Sequence, residues 1–360
     1  MMAQLTLVPC ITEPVTVTNL QIAELLGRRA ETADGHRRKA YERAAGAALM
    51  WREEAAAVAA RSESLETLAG VGPSLARRIA EWLKEPGQLD EPPPARSGFR
   101  SYASALERLA PHPEWRRELR GDLQMHSIYS DGKACLRDMA LAAAGRGYDY
   151  ISITDHSQGL KVARGMDEAE LGRQGDEVDA LNEKLVAEGI ELRVLRGIEM
   201  NLDEEGAGDM DPQSLEPLDL VVGSFHSNLR STEDETRRYV GALANPLVNI
   251  LGHPTTRRFN RRAGLSADWP RIFEAAASSG VALEINSHPH RQDINVELLR
   301  LGKDSEALFS IGTDAHSTDE LSYVELSLSA AQDAGIERDR IINFWELDRL
   351  LEWAGSRTGN

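Results

Sequence analysis

The sequence predicts a closed α/β barrel preceded by a small all-helical module, and three observations carry that prediction. From Gly121 onward short apolar, β-rich runs alternate with helical segments, which is the pattern of a parallel sheet. About seven such units in roughly 230 residues suit closure into a (β/α) barrel better than an open sheet. Before residue 85 the periodicity is helical throughout, and a stretch rich in Pro, Gly and charge separates the two regions.

The helical part opens with TNLQIAELLGRRAET, whose Thr/Asn start is a cap signal. The Ala-rich GHRRKAYERAAGAALMWREEAAAVAARS and then SLETLAGVGPSLARRIAEWL follow, and no strand pattern interrupts them. EPGQLDEPPPARSG reads as the linker. The expected organisation is therefore a helical domain at 15–87, a linker at 88–118 and a barrel at 119–354. The barrel runs are GDLQMHS, YDYISITDH, ELRVLRGIEMN, LDLVVGSFH, LVNILGHP, VALEINSH and ALFSIGTDAH, with no internal repeat among them.

The net charge of -17 argues against a protein coated in nucleic acid, yet the charge is unevenly placed. Residues 1–120 hold 17 Lys and Arg against 16 Asp and Glu, which leaves 24 against 42 for residues 121–360. The acidic excess sits in the barrel, where carboxylates attract cations. No apolar run approaches the ~20 residues of a membrane span, and no basic, hydrophobic leader opens the chain. A cytoplasmic location with no membrane partner is expected. Cys10 and Cys135 match neither a CxxC motif nor a disulfide framework, so neither is expected to do chemistry.

The informative feature is where polar residues fall. His126, His156, Glu199, His226, His253 and the pair Asp314/His316 each stand at the C-terminal end of a predicted strand. In a parallel barrel those ends share one face, so residues far apart in the chain meet in one cleft. A lone histidine at a strand end is more often a hydrogen-bonded structural residue. Here five of nine histidines occupy such positions, which chance explains poorly. Imidazole and carboxylate together suit Zn, Mn or Fe(II), and the number of ligands implies two or more divalent ions. Closely spaced cations supply hydroxide at neutral pH and neutralise charge developing on a phosphoryl group.

These residues resemble the motifs of the polymerase and histidinol phosphatase (PHP) superfamily. DLQMHSIYSDG is similar to its first motif, ITDHS to its second, GIEMN to its acidic motif, GSFH and GHP to the two middle histidine motifs, and GTDAH to the last. The likeness covers roughly residues 119–350 and implies a distorted (β/α)7 TIM-like barrel, the PHP fold, with up to three metals. It implies one ion held by His126, Glu199 and Asp314, and a second held by His226 and His253 with Glu199 bridging. A third would take Asp131, His156 and His316. Asp131 has an equally good reading as an Asp-Gly turn residue. The catalytic water implied is metal-bound, held by Glu199, His226 and His253. The family pattern begins His-x-His, whereas this chain has Gln124, a neutral and weaker metal ligand than imidazole.

EINSHPHRQDI is similar to a segment of bacterial family X polymerases, and the likeness implies that Arg291 clamps a substrate phosphate. His288 and His290 read as exposed loop residues. Lys161 and Arg164 are further candidates for phosphate contact, or else members of a simple charged loop. LETLAGVGPSLARRIAEWL resembles a helix-hairpin-helix, two helices joined by Gly70-Val71-Gly72 with Leu65, Leu68, Ala76 and Ile79 packing between them. Its glycines would let backbone N–H groups reach a DNA phosphate without regard to sequence, with Arg77 and Arg78 adding charge. The same pattern also makes a tight structural turn. The whole module resembles the small N-terminal domain of family X polymerases. No palm, fingers or thumb follows it, so polymerase activity is not expected. Arg78 stands where lyase-competent relatives carry a lysine, and a guanidinium cannot form the Schiff base.

The expected function is metal-dependent phosphoester hydrolysis, with DNA 3′-end processing or 3′-5′ exonuclease as its concrete form. The alternatives are a small-molecule phosphatase acting on histidinol phosphate or another monoester, and a degenerate DNA-binding barrel.

Overall fold

The computed structural model describes residues 17–85, 87 and 90–358. Cys10, the first two residues of the expected helical domain and residues 88 and 89 of the expected linker lie outside them. The chain divides into two compact units, Met1–Glu91 and Pro92–Asn360. Among the described residues no helix is long and apolar enough to cross a membrane.

The first unit is helical at Asn19–Glu31, Gly35–Met50, Ala55–Ala60 and Pro73–Lys84. Thr18 and Gln21 form a capping box at the first start. Buried Asn19 accepts from Ala55 N at 2.8 Å and so caps the third helix as well. Ile22, Leu26, Leu49 and Ile79 are fully buried and form the core of this small unit. The first limb of the expected hairpin is corrected: Leu65–Thr67 is a single 3-10 turn, not an α-helix. Val71 is buried while Ala76 is only half-buried. Gly70 has φ +76°, a conformation that favours glycine, and an added Cβ would crowd Ala47 Cβ at 3.1 Å. Pro73 begins the last helix directly after Gly72.

The second unit starts earlier than the expected barrel. Residues 102–117, read as linker, contain helices Tyr102–Leu109 and Glu114–Arg117 that bury Tyr102, Leu109 and Trp115. The Pro- and charge-rich composition belongs to residues 85–98, whereas residues 102–117 find partners in the folded unit: Tyr102 Oη donates to Ser322 O at 3.2 Å and Arg116 pairs with Glu325 at 2.6 Å.

Seven parallel strands follow in sequence order: β1 Gly121–Asp122, β2 Tyr150–Ile153, β3 Arg193–Leu202, β4 Leu220–Phe225, β5 Ile250–Leu251, β6 Ala282–Asn286 and β7 Phe309–Gly312. Beyond the β1 end the chain returns beside β7, with Leu123 N to Ile311 O at 3.3 Å, Asp314 N to Gln124 O at 3.0 Å and a parallel Met125–Ala315 bridge, so the sheet closes. Residues two apart share a face of a strand. One face of the strands carries an apolar layer of Tyr150, Leu195, Leu220, Val222, Ile250 and Ala282, packed with Ile342, Trp345 and Leu350 from the C-terminal segment. Two residues further along, the same parity gives Ser152, Gly197, Ser224, Gly252 and Glu284, small or polar positions that leave space. Two more residues reach Glu199 from Gly197 and His226 from Ser224. The outward face, with Ile151, Val194, Ile198, Leu283 and Ile311, packs against the surrounding helices.

Candidate metal centre

The strand ends deliver their polar residues to one mouth. His226 directly follows β4, His253 follows β5 by two residues, and Asp314 follows β7 by two. Glu199 differs from expectation. It lies inside β3, which continues to Leu202, because Met200 and Leu202 remain packed in the outer core. Parity, not strand termination, aims it inward.

Glu199 is the hub. Its Oε1 is 2.9 Å from His253 Nε2 and 3.3 Å from His226 Nε2; its Oε2 is 3.2 Å from His156 Nδ1 and 3.5 Å from His126 Nε2. Asp314 Oδ1 is 3.1 Å from His126 Nε2, and its Oδ2 is 3.0 Å from Arg291 Nε. Asp131 Oδ1 is 3.3 Å from His316 Nε2 and 3.7 Å from His156 Nε2. The rings of His126 and His156 stack with centroids 4.4 Å apart. Two sets offer ligand atoms that all lie within 4.8 Å of one another: His126, Asp131, His156 and His316, and His156, Glu199 and His226.

These contacts fit shared cations better than hydrogen bonds. Two ligands each ~2.1 Å from one ion are separated by roughly 3.0–3.4 Å. Of the atoms that face one another here, buried His156 Nδ1, Glu199 Oε2 and His226 Nε2 have no hydrogen-bond partner among the described residues, a costly state for polar atoms unless an ion takes their lone pairs. Burial holds His156 down at about 3, in the neutral form that ligates. Burial also lowers His253. Burial opposes ionisation of Glu199, but the imidazoles of His156, His226 and His253 around it hold its carboxyl well below the usual carboxylate range. Asp314 is likewise held low against burial by His126 and Arg291. Burial opposes the charged form of His316, yet Asp131 raises it to about 9. A cation between that pair would take the place of the proton.

Supporting contacts absent from the sequence reading hold these side chains. Asn201 Oδ1 lies 2.5 Å from His226 Nδ1, leaving Nε2 to face Glu199. Asn201 is itself held by Asp209, which accepts from its Nδ2 at 3.0 Å and from Ser157 Oγ at 2.7 Å. Buried Asp155 accepts from Ser127 N at 2.8 Å, Ser127 Oγ at 2.6 Å, Ser130 N at 3.1 Å and Gln174 Nε2 at 2.6 Å, and also from Ser130 Oγ. It pins the turn that presents Asp131. Asn201 and Asp155 stand inside the GIEMN and ITDHS motifs; Asp209 has no signal in the sequence.

Gln124 is buried, and both its amide atoms lack hydrogen-bond partners among the described residues. Its Cβ would stand 2.7 Å from a Cβ added at Gly312, which would also collide with Glu284 Oε1. Glu284, missed in the sequence, accepts from His253 N through Oε2, and burial holds its carboxyl well above the usual range. Inward parity on β6 was the signal for it.

Arg291 is brought to the centre. Arg164 is exposed, and its guanidinium donates to Ser130 O beside Asp131. Lys161 lies exposed on a 3-10 turn, Lys161–Ala163. His288 and His290 are corrected from exposed to half-buried: the turn folds back, His290 N donates to His288 Nδ1 at 3.2 Å, and burial holds His288 down at about 3. Cys135 is half-buried, and its Sγ accepts from Asp138 N at a helix start. In the first unit Arg77 is exposed and Arg78 half-buried.

The model of the PHP domain matches residues 122–288. The DNA polymerase/3′-5′ exonuclease PolX of Bacillus subtilis is 38% identical over 227 residues, 63% of this chain, and the chain spans only 39% of that protein's length. A protein of Thermoanaerobacter sp. named "probable phosphatase" is 29% identical over 62% of this chain and 89% of its own. The histidinol phosphate phosphatase of Lactococcus lactis, solved with zinc, L-histidinol and phosphate, superposes with a TM-score of 0.44 at 21% identity, covering 61% of this chain and 95% of that one. With its His, Asp and Glu cluster, the barrel mouth is a site for divalent metal.

Proposed function

We propose that the chain, whose residues 122–288 match the PHP domain, hydrolyses phosphate esters and that its substrate is a DNA end, in 3′-end processing or 3′-5′ exonuclease action. The observation that carries the hydrolytic reading is Glu199, whose two oxygens stand between four imidazoles at 2.9–3.5 Å. His126, Glu199 and Asp314 would hold one ion, His226 and His253 with Glu199 a second, and Asp131, His156 and His316 a third, of the zinc, manganese or iron(II) class. Such ions supply a nucleophile at neutral pH and offset phosphoryl charge. The residues then have separate tasks. Asn201 fixes the His226 tautomer, Asp155 fixes the Asp131 turn, and Arg291 offers its fork to a phosphate oxygen beside Asp314.

Similarity to a polymerase/exonuclease and the Gly70-Val71-Gly72 turn support DNA as the substrate. The Thermoanaerobacter relative, matched over most of its own length, favours a second reading, hydrolysis of a small phosphomonoester. A panel of labelled single-stranded and nicked DNA and of phosphomonoesters, run with Mn or Zn, separates them. DNA turnover should exceed that of a His126→Ala/His226→Ala control by at least about 100-fold. Turnover no higher than the control rejects hydrolysis. A rate confined to monoesters, and indifferent to deleting residues 1–91, replaces the first reading by the second.

A further inference from the structure

Beside the centre the barrel rim carries arginines for which hydrolysis of a single phosphate has no use. The loop after β5 runs from His253 through Arg257, Arg258, Phe259, Asn260, Arg261 and Arg262. Arg257 is structural: buried, it donates to Ser97 O at 2.5 Å and lies 3.9 Å over the Phe99 ring. The others are different. Arg258 and Arg262 exchange backbone hydrogen bonds, Arg258 N to Arg262 O at 3.0 Å and Arg262 N to Arg258 O at 2.9 Å. This antiparallel bridge sets their side chains next to each other on one face. Like charges directly opposed are destabilising, so the arrangement carries a cost that a bound anion would remove.

The same loop is clasped to the Arg291 turn, because Phe259 N donates to His290 O at 2.7 Å. Arg291 in turn reaches Asp314 at 3.0 Å, so the rim is continuous with the centre. Among the described residues no carboxylate lies within ion-pair distance of Arg230, Arg258, Arg261 or Arg262. Of the nearby acids, Asp314 is committed to His126 and Arg291, and buried Asp293, which accepts from Thr255 N at 3.0 Å, lies beyond ion-pair distance of these guanidinium groups. Burial first, and then the charges of Arg291, Arg258 and Arg230, push Arg262 down to about 10, in keeping with a crowded set of cations. Such a cluster stands out where 42 acids outnumber 24 bases.

We propose that Arg258 and Arg262, flanked by Arg230 and Arg261, form a second anion site for the phosphodiester adjoining the phosphate at Arg291, so that the ligand is a single-stranded polynucleotide. An isolated monoester has one phosphate and would leave this site unused, whereas guanidinium forks match successive backbone phosphates. The inference rests on the reading of the mouth as a phosphoester hydrolase, and its test separates the two.

Arg258→Ala and Arg258→Glu are the main variants, since among the described residues the Arg258 side chain has no hydrogen-bond partner, whereas Arg262 Nε donates to Thr256 O at 3.0 Å. Binding of a fluorescent single-stranded oligonucleotide in EDTA is titrated with salt. In Arg258→Ala the slope of log K against log salt should fall by about 0.7 for the phosphate contact removed. In parallel, the ratio of kcat/KM for the oligonucleotide to that for p-nitrophenyl phosphate should fall at least about 10-fold, and further in Arg258→Glu. An unchanged slope overturns the proposal. So does an equal loss on both substrates, which would place Arg258 at the scissile phosphate. If the wild-type protein hydrolyses neither substrate, the hydrolase reading fails while the salt slope still decides the rim.

Discussion

Glu199 and His226 show how much one rotamer carries. Glu199 leaves β3 on the same face as Leu195 and Gly197, and absence of a side chain at Gly197 leaves room for Ser152 and Thr154 beside it. His226 meets it at 3.3 Å only because Asn201 occupies the other ring nitrogen. Asn201→Leu should therefore lower metal affinity by roughly 10–100-fold while the fold persists. Chelator competition together with circular dichroism checks this, and Asn201→Asp, which keeps an acceptor, should lose less. Equal affinity in Asn201→Leu and the wild type would remove Asn201 from the centre.

At the scale of elements, the centre depends on loops tied down from beneath. The segment after β1 would be a free turn were Asp155, just beyond β2, not accepting from two backbone N–H groups and three side chains. Asp155→Ala strands buried Ser127 N and Ser130 N, at about 1–3 kcal/mol each. Urea denaturation should show a loss of roughly 2–6 kcal/mol. Metal analysis should show depletion first in the set that includes Asp131, because this is the turn released. A full metal complement in a destabilised variant would make Asp155 a packing residue only.

For the molecule as a whole, stability couples to pH through a histidine outside the ligand set. Burial holds His288 at about 3 against an ordinary 6.5, and its Nδ1 accepts from His290 N, which requires the neutral ring. Below pH 6.5 the unfolded chain binds a proton that the folded chain refuses until about pH 3. Stability from this group is thus present above pH 6.5 and lost as pH falls through that window, by about 1.4 kcal/mol per pH unit. In chelated protein, His288→Asn should remove about that slope from a urea-denaturation series; an unaltered slope would show that His288 protonates in the folded state.

Much of the architecture was legible beforehand because strand ends and inward parity are local patterns. Alternating β-rich and helical segments predicted the barrel, and the runs ending in MHS, TDH, SFH, GHP and TDAH marked residues that the structure gathers at one mouth. Other features depend on residues distant in sequence and have no local signature. Asp209 behind Asn201, the buried Glu284 beside Gly312, the half-buried His288 and the arginine pair across the β5 loop all arise only when separate loops pack together. The sequence by itself determined the residue types at the mouth and the order in which strands present them, since each is a property of a few consecutive residues. The tertiary structure alone decided which side chains share an oxygen, which are held in one tautomer and which charges are left without partners, because those are set by distances between segments.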